Sequence, residues 1–142
     1  TPEYAREFLA KNGPRYSQND LDVICLGQIK KEEEALSTAN GICFFDTDML
    51  VLKIWSIIKY NEVSTIIETA FAERQYDHYL LCKPDLSWAP DPLRENPSHE
   101  ERFGLFEMYR EELEICSLPY TIIHGEGDSR TDAAIKAIEY LL

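Results

Sequence analysis

Three short apolar runs, Ile42–Phe45, Tyr79–Cys82 and Tyr120–Ile123, recur along the 142 residues, separated by stretches with helical hydrophobic spacing. No other feature restricts the possible folds as much. Apolar runs of strand length joined by helices make βαβ units, so the expected fold class is α/β, with a parallel sheet and helices on both its faces. Ile42-Cys43-Phe44-Phe45 is apolar without alternation, which suits a strand buried on both sides. The length fits one domain spanning 1–142 with a real core. No internal repeat, low-complexity segment or linker interrupts it.

The helical stretches carry their own start signals. Ser17 with Asp20 opens a helix that stops at Asn40-Gly41. Leu50, Ile54, Ile57 and Ile58 make one apolar stripe from Asp48 to about Tyr60, and a further helix covers Thr65–Arg74. Ser98-His99-Glu100-Glu101 is a capping box for a helix bearing Phe103, Phe106, Tyr109 or Arg110, Leu113 and Cys116. The last helix, about Ser129–Leu142, is expected to bury Ile135, Ile138 and Leu142.

Asp46 and Asp48 end the first apolar run, two residues apart. Open α/β sheets bind ligands at the C-terminal ends of their strands. Two carboxylates there can hold Mg²⁺ through water, orient a phosphate acceptor or take a proton from a hydroxyl. Asp48 also suits the N-cap of the following helix, and one residue can serve both ends.

The segment 83–97 contains four prolines, Pro84, Pro90, Pro92 and Pro97, and resists regular structure. A long loop leaving the end of a strand is often a lid. Its Trp88 offers a flat face to an aromatic ring and its Arg94 a forked donor to phosphate, unless Trp88 anchors the loop and Arg94 pairs with Asp91 or Glu95. At the start of the chain, Glu3 and Arg6 share a helix face at ion-pair spacing, and no capping residue precedes them.

The formal charge of −12 argues against nucleic-acid or anionic-membrane partners, which need clustered Lys and Arg. A nucleotide substrate needs only a few local cations. No apolar stretch approaches the roughly 20 residues of a membrane span, and no signal-peptide pattern opens the chain. Cys25, Cys43, Cys82 and Cys116 lack metal-ligand spacing and read as reduced and structural, three of them in core patterns, which makes the cytoplasm the expected compartment.

Taken in order, Pro2-Glu3-Tyr4-Ala5-Arg6, Gly27-Gln28 with the acidic run after it, Phe45-Asp46-Thr47-Asp48 followed by Lys53-Ile54-Trp55, Tyr76-Asp77 with Leu80-Leu81, Trp88-x-x-Asp91-x-Leu93-Arg94, and Leu118-Pro119-Tyr120 resemble the P-loop ribosylnicotinamide kinase domain of NadR and the NadR-like bacterial AAA-type ATPases. The resemblance spans nearly all of the chain. It implies a P-loop kinase-like three-layer fold and transfer of the γ-phosphoryl of ATP, with Mg²⁺, to a ribose hydroxyl of nicotinamide riboside, giving nicotinamide mononucleotide for NAD biosynthesis. It implies Asp46 as the carboxylate near Mg²⁺ and Asp48 facing the ribose, or the two exchanged. Glu3 and Arg6 would line the nucleoside pocket, Trp88 would stack on the nicotinamide, Asp91 would be a further substrate-binding residue, and Arg94 and Arg102 would close over the phosphates. The partners are then ATP and a small nucleoside, with no nucleic acid or membrane; a homo-oligomer is left open.

One departure stands out. Family members carry G-x-x-x-x-G-K-[ST] upstream of the P-E-Y-A-R segment, and no glycine here sits in that pattern. The expectation is an N-terminally incomplete domain lacking the first strand, phosphate loop and first helix, a unit of roughly 30 residues. By itself such a chain should bind ATP phosphates poorly. Pro90 and Pro92 also differ from the residues some members show around the lid aspartate. Phosphorylation of another nucleoside, plain ATP hydrolysis, or a non-catalytic nucleotide-sensing or interaction module are the competing readings.

Overall fold

Ser17 and Asp20 close a capping box at the head of the longest helix, and most of the first half of the protein is arranged around that helix. The computed structural model describes residues 1–74, 76–87 and 98–142. These divide into two compact units, Thr1–Gln75 and Tyr76–Leu142.

The first unit is helical. It contains α1 (Tyr4–Asn12), α2 (Gln18–Thr38), α3 (Met49–Tyr60) and α4 (Thr65–Glu73). Along α2 the buried residues are Leu21, Ile24, Cys25, Gln28 and Glu32, a helical stripe that α1, α3 and α4 all pack against. Leu21, Ile24 and Cys25 join Ala5, Met49, Leu52, Ile67 and Ala70 in one core cluster. Asp48 and Ser64 cap α3 and α4 by accepting from Val51 N and Ile67 N, and Ser64 also donates to Asp22. The loop before α2 is fastened by Tyr16, whose hydroxyl accepts from Trp55 Nε1 at 2.6 Å and whose carbonyl accepts from Tyr60 at 2.9 Å.

The second unit holds the sheet. β1 (Tyr79–Cys82) and β2 (Tyr120–Ile123) pair in parallel, Tyr79 against Tyr120 through Cys82 against Ile123. α5 (His99–Ile115) lies between them in sequence, and α6 (Gly127–Ile138) follows β2 and ends in a 3-10 turn, Glu139–Leu141. The capping box at Ser98 and Glu101 is formed as its sequence predicts. His78 ties the sheet to the C-terminal turn, with one ring nitrogen 2.9 Å from Thr121 Oγ1 and the other 2.9 Å from the Tyr140 hydroxyl.

The structure differs from the sequence reading at four places. Ile42–Phe45 forms no strand, and Ile42 and Phe44 are exposed. A strand needs a neighbouring backbone, and among the described residues this segment finds Thr1: its N donates to Phe44 O at 2.6 Å, and Thr1 O accepts from Asp46 N at 3.0 Å. That is one rung in parallel register. The sheet among the described residues therefore has two strands, not three. In α6 only Ile138 is buried, while Ile135 and Leu142 face solvent. The stripes of α3 and α5 are narrower than expected, since Ile58 and Phe103 are exposed. Of the cysteines, Cys25 alone is buried; Cys82 ends an edge-exposed strand and Cys116 caps α5 in the open.

Candidate functional site

Thr47, between the two aspartates, has φ 67°. A β-branched residue in the left-handed region is strained by about 1–3 kcal/mol, and such strain gathers at functional sites. The turn it makes sends the flanking carboxylates to different environments. Asp46 is exposed, its amide held by Thr1. Asp48 turns inward as the N-cap of α3. Its Oδ1 accepts from Val51 N at 3.2 Å, and its Oδ2 is buried with no hydrogen-bond partner. Burial pushes this carboxyl up to about 6; the amides of Val51 and Leu50 oppose the rise and the Glu32 carboxylate adds to it. A buried acceptor left unmatched costs about 1–3 kcal/mol, so Oδ2 is an atom waiting for a donor.

Behind Asp48 lies a polar chain whose buried residues the sequence analysis placed in a resemblance motif but not among the site residues. Gln28 and Glu32 are both essentially inaccessible to solvent. Gln28 Nε2 donates to Glu32 Oε1 at 3.1 Å, and Glu32 Oε2 lies 3.6 Å from Arg74 Nη1. Arg74 also pairs with Glu33 at 3.1 Å. The signal was present in the sequence: Gln28 and Glu32 continue the apolar stripe set by Leu21, Ile24 and Cys25, so two polar residues occupy core positions.

Glu3 and Arg6 stand at the head of α1 in the same unit, paired at 3.6 Å. Glu3 is the N-cap residue, and the rung made by Thr1 brings the chain just before it alongside Phe44–Asp46. Four of the expected site residues, Glu3, Arg6, Asp46 and Asp48, thus lie in the first unit, and the link between their two segments is the backbone of Thr1. Arg102 sits in the first turn of α5, in the second unit. Trp88, Asp91 and Arg94 lie outside the described residues.

The chemistry open to this arrangement is limited and specific. Among the described residues no group of three or more His, Cys, Asp or Glu could hold a metal ion. A single exposed carboxylate such as Asp46 fits magnesium through the ion's water shell, the usual manner for a cation that gives up water reluctantly. Asp48, with a high pKa and an open lone pair, fits a proton acceptor for a hydroxyl.

In the second unit, Asp85 follows β1 and accepts from Gly125 N at 2.9 Å and from Arg130 Nη1 at 2.7 Å. Arg130 also donates to Gly125 O and Lys83 O. These bonds close the loops at the C-terminal ends of both strands. The Gly125 amide and Arg130 hold the Asp85 carboxyl below the ordinary range.

A protein-family model described as an AAA domain matches residues 1–130. The chain is also 21% identical over 145 residues to the trifunctional NAD biosynthesis/regulator protein NadR of Escherichia coli (strain K12), an alignment covering 99% of this chain and 35% of that protein. The chain therefore spans about a third of the length of this curated relative. No solved structure gives a significant match. No helix among the described residues is long and apolar enough to cross a membrane.

Proposed function

The chain belongs to the AAA domain family, and from that premise we propose that it is the kinase part of an ATP-dependent small-molecule kinase whose acceptor is nicotinamide riboside. In this reading residues 1–142 act as one P-loop kinase-like domain of the cytoplasm, with 83–97 as its lid. The observation that carries the proposal is Asp48 Oδ2, a buried, unpartnered carboxylate oxygen two residues from an exposed carboxylate. The weak similarity to NadR, a protein named for NAD biosynthesis, supports the choice of acceptor.

Each residue then has a task. The bond from γ-phosphorus to the β–γ bridging oxygen breaks, the ribose oxygen bonds to phosphorus, and ADP leaves. Asp48 accepts the proton the ribose hydroxyl loses, because its second oxygen has no competing donor. Access is the strict demand: the hydroxyl must reach an atom that solvent does not touch in this structure. Asp46 would hold magnesium through water, and the ion, when bound, would offset the charge on the phosphates. Glu3 and Arg6 line the nucleoside pocket, Trp88 and Asp91 take the nicotinamide side, and Arg94 and Arg102 neutralise the transferring phosphoryl group.

The test is phosphorylation of nicotinamide riboside by the natural gene product, with ATP and Mg²⁺ supplied and nicotinamide mononucleotide read by mass spectrometry. Asp48→Asn should lower kcat by about 10²–10⁴, the range for loss of a general base. Asp46→Asn should raise the magnesium concentration needed for half-maximal rate. Turnover of a different nucleoside, or ATP hydrolysis with no acceptor phosphorylated, would overturn the choice of substrate. Full activity in Asp48→Asn would overturn the role of the carboxylate.

A further inference from the structure

α1 begins without a cap of its own. Glu3 occupies the N-cap position and makes no side-chain cap hydrogen bond. The first amide of the helix is satisfied from elsewhere: Tyr4 N donates to Gln28 Oε1 on α2 at 3.0 Å. The amide of Gln28 is held in that orientation, since its Nε2 faces Glu32 Oε1 at 3.1 Å and the far side of Glu32 faces Arg74. A flipped amide would set oxygen against a carboxylate and nitrogen against an N–H donor.

Two more residues on the same side of α2 grip the same turn. A Cβ built on Gly27 would fall 2.1 Å from Tyr4 Cε1, so the ring lies directly on the α2 backbone. Lys31 pairs with Glu7 at 2.8 Å and stands 5.4 Å from the centroid of the Tyr4 ring. Positions 4 and 7 of α1 are therefore fixed to α2, while Glu3 and Arg6 occupy neighbouring positions on the helix. On the other side Thr1 is bonded to the backbone at Phe44 and Asp46.

We propose that Gly27 and Gln28, with Glu32 behind them, form a latch that positions Glu3 and Arg6 for the nucleoside, Gln28 being a positioning residue and not a catalytic one. This rests on the reading above, that Glu3 and Arg6 meet the substrate. The ligand class it serves is the ribosyl acceptor and not ATP.

The test compares Gln28→Leu with the reciprocal swap Gln28→Glu/Glu32→Gln in the natural gene product. In the swap, the carboxylate now at position 28 still accepts from Tyr4 N. The amide now at position 32 donates to that carboxylate, while its oxygen faces Arg74. Loss of the cap in Gln28→Leu should raise KM for the nucleoside about tenfold, the equivalent of one hydrogen bond, with KM for ATP within about twofold of wild type. The swap should recover most of that loss. If Gln28→Leu fails to fold, the swap alone decides: a nucleoside KM near wild type supports the latch and a rise of about tenfold overturns it. An unchanged nucleoside KM in Gln28→Leu, or equal rises for both substrates, also overturns it. If wild type phosphorylates no nucleoside, the functional reading itself fails, an outcome recognisable before any variant is made.

Discussion

Asp48 does two jobs that pull against each other. As an N-cap it stabilises α3 through Val51 N, and as a buried carboxylate with one bare oxygen it destabilises the fold. Asn caps as well as Asp, and its Nδ2 would sit in the field of Glu32 with no charge to bury. Asp48→Asn should therefore be more stable than wild type at pH 7, by on the order of 1 kcal/mol, once the smaller cost of burying an amide is set against the charge. Urea titration reads this directly; a variant less stable than wild type would mean that the Oδ2 position carries less cost than its burial implies. Paired with lost phosphoryl transfer, the result would mark Asp48 as a residue kept for chemistry at the expense of stability.

At the scale of elements, four helices, α2 to α5, begin where their capping chemistry places them. Ser17, Asp48, Ser64 and Ser98 each sit one residue before a helix, and these starts are legible because a cap is a local matter between a side chain and an amide two or three residues on. The sheet is a matter of long-range pairing. His78 bridges β2 and the C-terminal turn through Thr121 and Tyr140, and burial lowers its pKa. A histidine with a lowered folded pKa binds fewer protons folded than unfolded, so its contribution is present above about pH 6.5 and is lost as pH falls toward the folded value. The melting temperature of wild type should fall relative to His78→Gln between about pH 7.5 and 5.5. Parallel curves for the two proteins would show that His78 is not the group responsible.

At the scale of the whole chain, 26 acidic residues face 14 basic ones. Ion pairs exposed on both sides, such as Lys11–Glu7 and Lys30–Glu34, contribute little each. Self-repulsion should therefore outweigh them. Raising ionic strength from about 0.01 to 0.15 M shortens the screening length from about 30 to 8 Å and should raise the melting temperature. A fall would mean the ion-pair networks dominate instead.

The sequence by itself determined the starts of α2, α3, α4 and α5, the two strands Tyr79–Cys82 and Tyr120–Ile123 and the proximity of Asp46 to a helix cap, because each follows from neighbours a few residues apart; the last helix starts at Gly127, two residues before the expected Ser129. Its likeness to a P-loop kinase also agrees with the AAA domain match. Tertiary structure decided the rest. Ile42–Phe45 is apolar enough for a strand, yet pairing needs a partner, and among the described residues Thr1 supplies a single rung. The missing cap of α1 comes from Gln28, 24 residues away, and the pKa of Asp48 comes from burial and from Glu32 on another helix. Hydrogen bonding within a turn is encoded by spacing, whereas desolvation and cross-helix satisfaction exist only once the elements have packed.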